Sequence, residues 1–358
     1  MANAEKVIIA AGGTGGHVFP ALAVARELEA RNVSVVWVGT ERGIESSVVP
    51  EWGIPLRLVK VTALRGRGLM ARVRSGITLL AAISKSVRII LQERPLAVLG
   101  MGGYVAGPVC LAARLCGRRM VVHEQNAIAG FTNRLLKRIA NTVMEAMPGT
   151  FATSDHAVHT GNPVRADILS LSAPESRMAH RTEAVRILVI GGSQGAKALN
   201  EIVPLALAQV TTAVAVRHQC GEAWLTDTTE AYRDCPHSSE VLTFIDDMAE
   251  TYAWADLILC RSGAMTIAEL AAVGLPAILI PYPAAVDDHQ TANGGFLVNA
   301  GAAIMIQESE LTPDLLADHI ASLISDRKKL VTMAQQGRAV SRRNATQNVV
   351  DEILGVAA

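Results

Sequence analysis

Two glycine-rich turns of similar design stand about half a chain apart in this 358-residue sequence: Ala11-Gly12-Gly13-Thr14-Gly15-Gly16-His17 and Gly191-Gly192-Ser193-Gln194-Gly195-Ala196-Lys197. Each follows a short β-branched run, Val7-Ile8-Ile9 or Ile187-Leu188-Val189-Ile190, and each opens a helical pattern. A strand, a glycine turn and a helix N-terminus make an anion site, because main-chain N–H groups point outward there and the helix dipole favours negative charge. Two such units predict two nucleotide-fold domains facing each other across a cleft, and a phosphorylated ligand. Stricter glycine motifs do not fit. From Gly13 the spacing reaches Gly15 and then Val18, so the dinucleotide fingerprint lacks its last glycine. Five residues after Gly191 comes Ala196, not the glycine–lysine pair of a Walker loop. A plain strand-to-helix turn explains one such motif more easily than two.

The rest of the chain supports this division. In the first half, strand patterns at residues 6–10, 33–38, 56–61, 96–99, 120–122 and 142–144 alternate with helical patterns that begin near His17, Met70, Val105 and Ala129. A polar stretch, residues 169–183, reads as a linker. Strand patterns then resume at 186–190, 213–217, 240–244, 257–260 and 277–280, and residues 327–354 close the chain as a helix. Such alternation predicts α/β, doubly wound parallel sheets, with ligands at the carboxyl ends of the strands. Gly102-Gly103-Tyr104 and His123-Glu124-Gln125-Asn126 fall at such ends.

Composition sets bounds. A chain of this length suffices for two domains, and half its residues are apolar, against disorder. Five cysteines without a CxxC spacing indicate a reduced compartment and no structural zinc site. The chain enters a strand without a signal-peptide layout, and no apolar run is expected to reach the roughly 18 residues of a membrane span. Net charge is zero, but residues 60–94 carry eight Lys/Arg against Glu93, and residues 222–256 carry nine acids against Arg233. The basic segment has apolar positions at Met70, Val73, Ile77, Leu80, Val87 and Ile90, with Leu64 and Leu69 nearby. Core packing explains part of that stripe; the excess charge fits an anionic membrane surface. Nucleic acid is disfavoured, because stacking aromatics are absent.

Two further clusters carry chemistry. His17 stands in the first turn of a helix, where the dipole favours a neutral imidazole able to accept a proton. It reads equally as a general base or as a cap or phosphate ligand. In Ser262-Gly263-Ala264-Met265-Thr266-Ile267-Ala268-Glu269, the helix start suits a diphosphate, and Glu269, one turn on, suits two adjacent ribose hydroxyls. A surface glutamate is the plainer account. Asp287-Asp288-His289-Gln290 suits sugar hydroxyls; a metal there lacks a further ligand set, so no metal is expected.

Gly12-Gly13-Thr14-Gly15-Gly16-His17-Val18-Phe19-Pro20, Gly102-Gly103-Tyr104, His123-Glu124-Gln125-Asn126, Gly161-Asn162-Pro163-Val164-Arg165, Gly191-Gly192-Ser193-Gln194-Gly195 and the 262–269 segment occur in this order. With them, from about Lys6 to the C-terminal helix, the chain resembles the MurG family, bacterial N-acetylglucosaminyltransferases that convert lipid I to lipid II. The resemblance implies a GT-B fold, two Rossmann-like doubly wound parallel-sheet domains separated by a cleft. Residues 1–165 and a final helix, about 341–358, would form the acceptor and membrane side; residues 166–340 would bind the donor. The reaction implied is inverting: the C4 hydroxyl of MurNAc in undecaprenyl-pyrophosphoryl-MurNAc-pentapeptide displaces UDP from UDP-N-acetylglucosamine.

Carried over by position, the resemblance gives His17 as the base. Ile245 would meet uracil through its main chain and Glu269 would hold the ribose. Ser193, Arg165 and the helix start Ala264, Met265, Thr266, Ile267 and Ala268 would face the diphosphate. Gln290 and Asn126 would reach the donor sugar, with Thr14, Gly15 and Gly16 near the donor or the acceptor pyrophosphate. Tyr104, His123 and Glu124 would line the acceptor side. Some members carry glutamine where His289 stands. No metal or other cofactor is required on this reading, although Mg²⁺ stimulation is compatible with it. The expected location is peripheral, on the cytoplasmic face of the bacterial inner membrane, with other cell-wall synthesis proteins as partners. The alternatives are a UDP-sugar epimerase or hydrolase on the same fold, and a non-catalytic membrane-associated scaffold. The basic apolar segment argues against the first, and the joint presence of His17 and Glu269 argues against the second.

Overall fold

The computed structural model describes residues 5–61, 69–178, 181 and 183–356. The expectations for Leu64, Arg65 and Arg67 lie outside these residues, as do those for the side chains of Leu69, Met70, Arg72, Val73 and Arg74. The chain divides into two compact units, Met1–Arg165 with Arg342–Ala358, and Ala166–Ser341.

The first unit is built on seven parallel strands: β1 (Lys6–Ala10), β2 (Ser34–Gly39), β3 (Leu56–Leu58), β4 (Ala97–Gly100), β5 (Arg119–Glu124), β6 (Thr142–Glu145) and β7 (Val158–His159). Their order is β3-β2-β1-β4-β5-β6-β7. Strands buried on both faces need continuous apolar runs. Ile8 and Ala10 join one core layer and Val7 and Ile9 the other. The order reverses between β1 and β4, and at that switch point the first glycine turn and Gly102-Gly103 stand side by side.

The second unit repeats the plan with six parallel strands: β8 (Val185–Ile190), β9 (Val214–Gln219), β10 (Ser238–Leu242), β11 (Leu257–Cys260), β12 (Ala277–Leu279) and β13 (Ala303–Met305). Their order is β10-β9-β8-β11-β12-β13. Here the reversal falls between β8 and β11, after which come the second glycine turn and Ser262-Gly263. The two turns thus occupy equivalent topological positions.

Several elements differ from expectation. The strand read over residues 56–61 stops at Leu58. Strands β7 and β13, of two and three residues, carry too little pattern to be seen in sequence. The stretch read as a linker contains the helix Pro174–Met178. The closing helix is two, Arg327–Val340 and Ala345–Leu354, because the chain turns extended at Ser341 before it rejoins the first unit. There Val349, Val350 and Ile353 enter the core beside Leu22 and Leu28, and Arg31 pairs with Asp351 at 2.5 Å.

The helix Leu69–Glu93 divides its apolar stripe. Ala82, Ile89 and Ile90 pack into the core, whereas Ile77 and Leu80 stand 64% and 68% exposed on the same face as exposed Lys85 and Arg88. Its segment Ser75–Glu93, 19 residues of mean hydropathy 1.2, is long and apolar enough to cross a membrane by length and composition. The expectation that no run reaches that length was therefore wrong. Serine, lysine and arginine interrupt the run in sequence without lowering its mean below that of a span.

Candidate active site

His17 is the third residue of the helix Gly15–Ala30, whose N-cap, Thr14, is extended and makes no side-chain cap bond. The first turn of that helix, with Gly15 half-buried and Gly16 exposed, therefore offers main-chain donors at the switch point. The half-buried His17 ring lies against Gly102, where a Cβ would come within 2.8 Å of Cε1 and where φ is +94°; the position requires glycine twice over. His17 Nδ1 is 2.8 Å from Gln125 Oε1. The Gln125 amide nitrogen donates to the His123 carbonyl at 3.0 Å and lies 3.0 Å from His123 Nδ1, and His123 Nε2 is 2.9 Å from the Gly161 carbonyl. A connected polar chain thus runs from the half-buried histidine into the core.

The anions nearby hold the loops. Glu124, at the end of β5, is buried and accepts from Asn126 N, Asn126 Nδ2, Gly130 N and Asn133 Nδ2 at 2.9–3.1 Å. Glu45 is fully buried and accepts from Gly13 N at 3.0 Å and from Thr40 N and Oγ1 at 2.8 and 2.7 Å, which ties the first glycine turn to the end of β2. His123 is also fully buried, and burial lowers its pKa to about 4. Neither His123 nor Glu124 presents its side chain to solvent, so each acts through the groups it holds. Tyr104, on the helix Gly103–Leu115, is 55% exposed and available for contact. Asn126 is half-buried, and Arg165 closes the first segment of this unit.

In the second unit the glycine turn closes by a bond from Gly195 N to Gly192 O at 2.8 Å and leaves Ser193 exposed. Gly195 packs so tightly on β9 that a Cβ would stand 1.7 Å from the Cys220 carbonyl. Under the turn, Asn200 Nδ2 donates to that carbonyl at 3.1 Å, and Asn200 Oδ1 lies 3.0 Å from Nε2 of the buried His218. His218 Nδ1 meets the Tyr232 hydroxyl at 3.0 Å, and burial pushes the histidine down to about 3.

Beyond β11, the helix Ala264–Val273 starts at Gly263, which offers no side-chain cap. Ser262, just before it, is fully buried, and its hydroxyl has no hydrogen-bond partner among the described residues. An oxyanion at this helix start suits both features. Met265, Thr266 and Ala268 are half-buried there, with Ala264 and Ile267 buried. Glu269, half-buried, accepts from the Tyr252 hydroxyl at 2.9 Å. Ile245 is half-buried in the loop after β10. Gln290 Oε1 accepts from Tyr282 N at 2.9 Å, behind a turn in which Asp287 and Asp288 both take positive φ. His289 donates from Nδ1 to the Val286 carbonyl. The structure thus gathers Ser193, Ala264, Met265, Thr266, Ile267, Ala268 and Glu269 near one switch point, and Thr14, Gly15, Gly16, His17 and Tyr104 near the other.

Residues 7–145 match the glycosyltransferase family 28 N-terminal domain, and residues 186–349 match its C-terminal domain. The chain belongs to glycosyltransferase family 28. It is 48% identical over 356 residues, 99% of both chains, to the UDP-N-acetylglucosamine--N-acetylmuramyl-(pentapeptide) pyrophosphoryl-undecaprenol N-acetylglucosamine transferase of Nitrosococcus oceani. The protein of the same name from Pseudomonas paraeruginosa is 48% identical, with 98% of this chain and 99% of that one covered. The crystal structure of Acinetobacter baumannii MurG superposes with a TM-score of 0.88 at 42% identity, covering 98% of this chain and 99% of that one. With its two Rossmann-like parallel-sheet units, this family 28 chain has the GT-B architecture.

Sequence reasoning passed over four side chains that shape the sites of this family member. Gln125 lies inside a motif already singled out, so its signal was present. Glu45 and Tyr252 act across 32 and 17 residues of chain, with no local pattern to announce them. Arg261, just before the helix Ala264–Val273, donates to the Ile280 and Pro281 carbonyls at 3.1 Å, pairs with Glu308 and stacks on Tyr282, so it braces the segment whose Tyr282 N donates to Gln290.

Proposed function

We propose that the chain transfers N-acetylglucosamine from UDP-N-acetylglucosamine to undecaprenyl-pyrophosphoryl-MurNAc-pentapeptide, forming lipid II for peptidoglycan. The observation that carries this reading is near-half identity, along almost the whole chain, to transferases named for that donor and that acceptor. The finer chemistry is inverting displacement at the anomeric carbon by the C4 hydroxyl of MurNAc. His17 takes the hydroxyl proton. As UDP leaves, negative charge grows on its diphosphate, where preorganised N–H groups and a cation are worth most. In the second unit the helix start at Ala264, with Thr266 and Ser193, supplies those donors, and Arg165 of the first unit supplies positive charge. Charge neutralisation of this kind needs no metal. Glu269 grips the ribose hydroxyls, the main chain at Ile245 reads uracil, and Gln290 and Asn126 meet the sugar. Thr14, Gly15 and Gly16 serve the acceptor pyrophosphate or the donor, with Tyr104 beside the acceptor.

The same reading places the protein peripherally on the cytoplasmic face of an anionic bilayer. Exposed Ile77 and Leu80 beside Lys85 and Arg88 support it, since apolar insertion and attraction to anionic head groups add there.

Acceptor dependence tests the reaction. UDP release from UDP-N-acetylglucosamine should require a lipid I analogue, and release at the same rate without acceptor would mark a hydrolase or epimerase instead. The ribose grip is tested by calorimetry. Losing a charge-assisted pair should cost Glu269→Ala about 3 kcal/mol, on the order of a hundredfold in Kd for UDP. Tyr252→Phe, which keeps the carboxylate but removes its bond, should cost less. Unchanged affinity in Glu269→Ala would remove the role.

A further inference from the structure

The polar chain behind His17 determines which of its two nitrogens can accept a proton. We propose that Gln125 and His123 are positioning residues that hold His17 with its proton on Nδ1 and leave Nε2 as the proton-accepting atom. This deepens the assignment of His17 as base and rests on it.

The proton positions follow from the fixed acceptors outward. A main-chain carbonyl can only accept, so the end of the Gln125 amide 3.0 Å from the His123 carbonyl is the NH₂ end. That leaves Oε1, which carries no proton, 2.8 Å from His17 Nδ1, and His17 must donate there. The second amide hydrogen of Gln125 has His123 Nδ1 at 3.0 Å and the weaker acceptor Met101 Sδ at 3.9 Å within reach, and the nearer nitrogen accepts only with a lone pair. The other end of His123 agrees: Nε2 lies 2.9 Å from the Gly161 carbonyl and must carry the proton. Both ends of the chain are therefore pinned by carbonyls, and only one arrangement of protons satisfies every member. Burial keeps His123 neutral near pH 7. A charged His123 would set an N–H against the amide N–H and break the sequence. The main chain of Gln125 is held as well, since Asn162 Nδ2 donates to its carbonyl at 2.9 Å.

The arrangement suits the chemistry. The acceptor oxygen uses a lone pair to bond the anomeric carbon while its proton passes to His17 Nε2. The bond from that carbon to the UDP oxygen breaks, and UDP leaves with the electron pair. The product imidazolium carries protons on both nitrogens, and its Nδ1–H still donates to Gln125 Oε1. No reorganisation accompanies the transfer. A histidine free in water favours the opposite tautomer, with the proton on Nε2, which has no lone pair to offer there.

The test is the nitrogen NMR spectrum of full-length protein labelled with ¹⁵N-histidine, recorded above neutral pH, with the His17 signals assigned from their loss in His17→Gln. The expected result is a protonated Nδ1 and an unprotonated Nε2 in the wild type. Q125L should mix the tautomers and lower kcat by about a hundredfold, as a misplaced reacting group does, with KM for UDP-N-acetylglucosamine within twofold. A wild-type His17 protonated on Nε2 overturns the proposal whether or not Q125L folds, and so does a folded Q125L whose His17 tautomer is unchanged. Near-normal turnover in His17→Ala, by contrast, removes the base assignment and leaves the tautomer result standing, so the two failures are distinguishable.

Discussion

His17→Ala should lower kcat by about three orders of magnitude, within the range that a positioned general base supplies, and leave KM for UDP-N-acetylglucosamine within about threefold. Turnover and donor affinity should separate because most residues assigned to the donor, Ser193, Ile245, Ala264 to Glu269 and Gln290, belong to the second unit, and the substitution leaves Arg165 and Asn126 of the first unit in place. The substitution should not disturb the fold. Alanine is the best helix former, and the bond from His17 N to Thr14 O at 3.1 Å involves only the main chain. Steady-state kinetics with saturating lipid I analogue, alongside far-UV circular dichroism, makes the comparison. Turnover within tenfold of wild type would move the base elsewhere. A joint rise in donor KM would make His17 a donor ligand, the other role its place in the sequence allows.

Acid should destabilise both units well above the pH at which carboxylates titrate. His123 and His218 are buried and neutral, with pKa values pushed down to about 4 and about 3. In the unfolded chain each takes a proton below its ordinary value of 6.5. The unfolded state therefore binds more protons as pH falls through 6.5, and the stability present above that value is lost progressively down to the folded pKa. At pH 4.5 the loss is about 2–3 kcal/mol for each histidine, large against the 5–15 kcal/mol of a typical domain. Partly buried His159, lowered by burial and by Arg342, adds in the same direction. Glu93 and Asp155 are held below their ordinary values of 4.5 and 3.8 by Lys6 and by Lys137, so the stability they add is lost only as pH falls below those values and contributes little in this window. Urea midpoints at pH 7.5 and pH 4.5 should differ clearly, and equal midpoints would mean that neither histidine is buried neutral. Replacing His218 by leucine should flatten the acid response, although the substitution also strands the Tyr232 hydroxyl and Asn200 Oδ1.

Much of this was legible in the sequence because it depends on local order. β-branched runs before glycines mark the strands that enter both tight turns, and the alternation of apolar strand patterns with helical ones located eleven of the thirteen strands among the described residues. The missing strands, Val158–His159 and Ala303–Met305, are edge strands too short to show a period, completed by pairing with β6 and β12. Candidate site residues were legible where chemistry clusters along the chain, as in residues 262–269 and, Gln125 apart, 123–126. They were missed where one side chain acts across the fold, as Glu45 does on Gly13 and Tyr252 on Glu269.

The two glycine turns show where the division falls. The sequence by itself determined that there would be two parallel-sheet units, that each would carry a glycine turn at a helix start, and that a histidine would close the first. Strand propensity, glycine's access to positive φ and the order of residues along the chain suffice for that. Only the tertiary structure decided the chemistry of that histidine. Its free nitrogen is selected by a carbonyl at the end of β5, an amide two residues on and a second carbonyl at Gly161, groups that meet only when the sheet has formed. Hydrogen-bond direction depends on distance and angle in space, and neither is written in the order of residues.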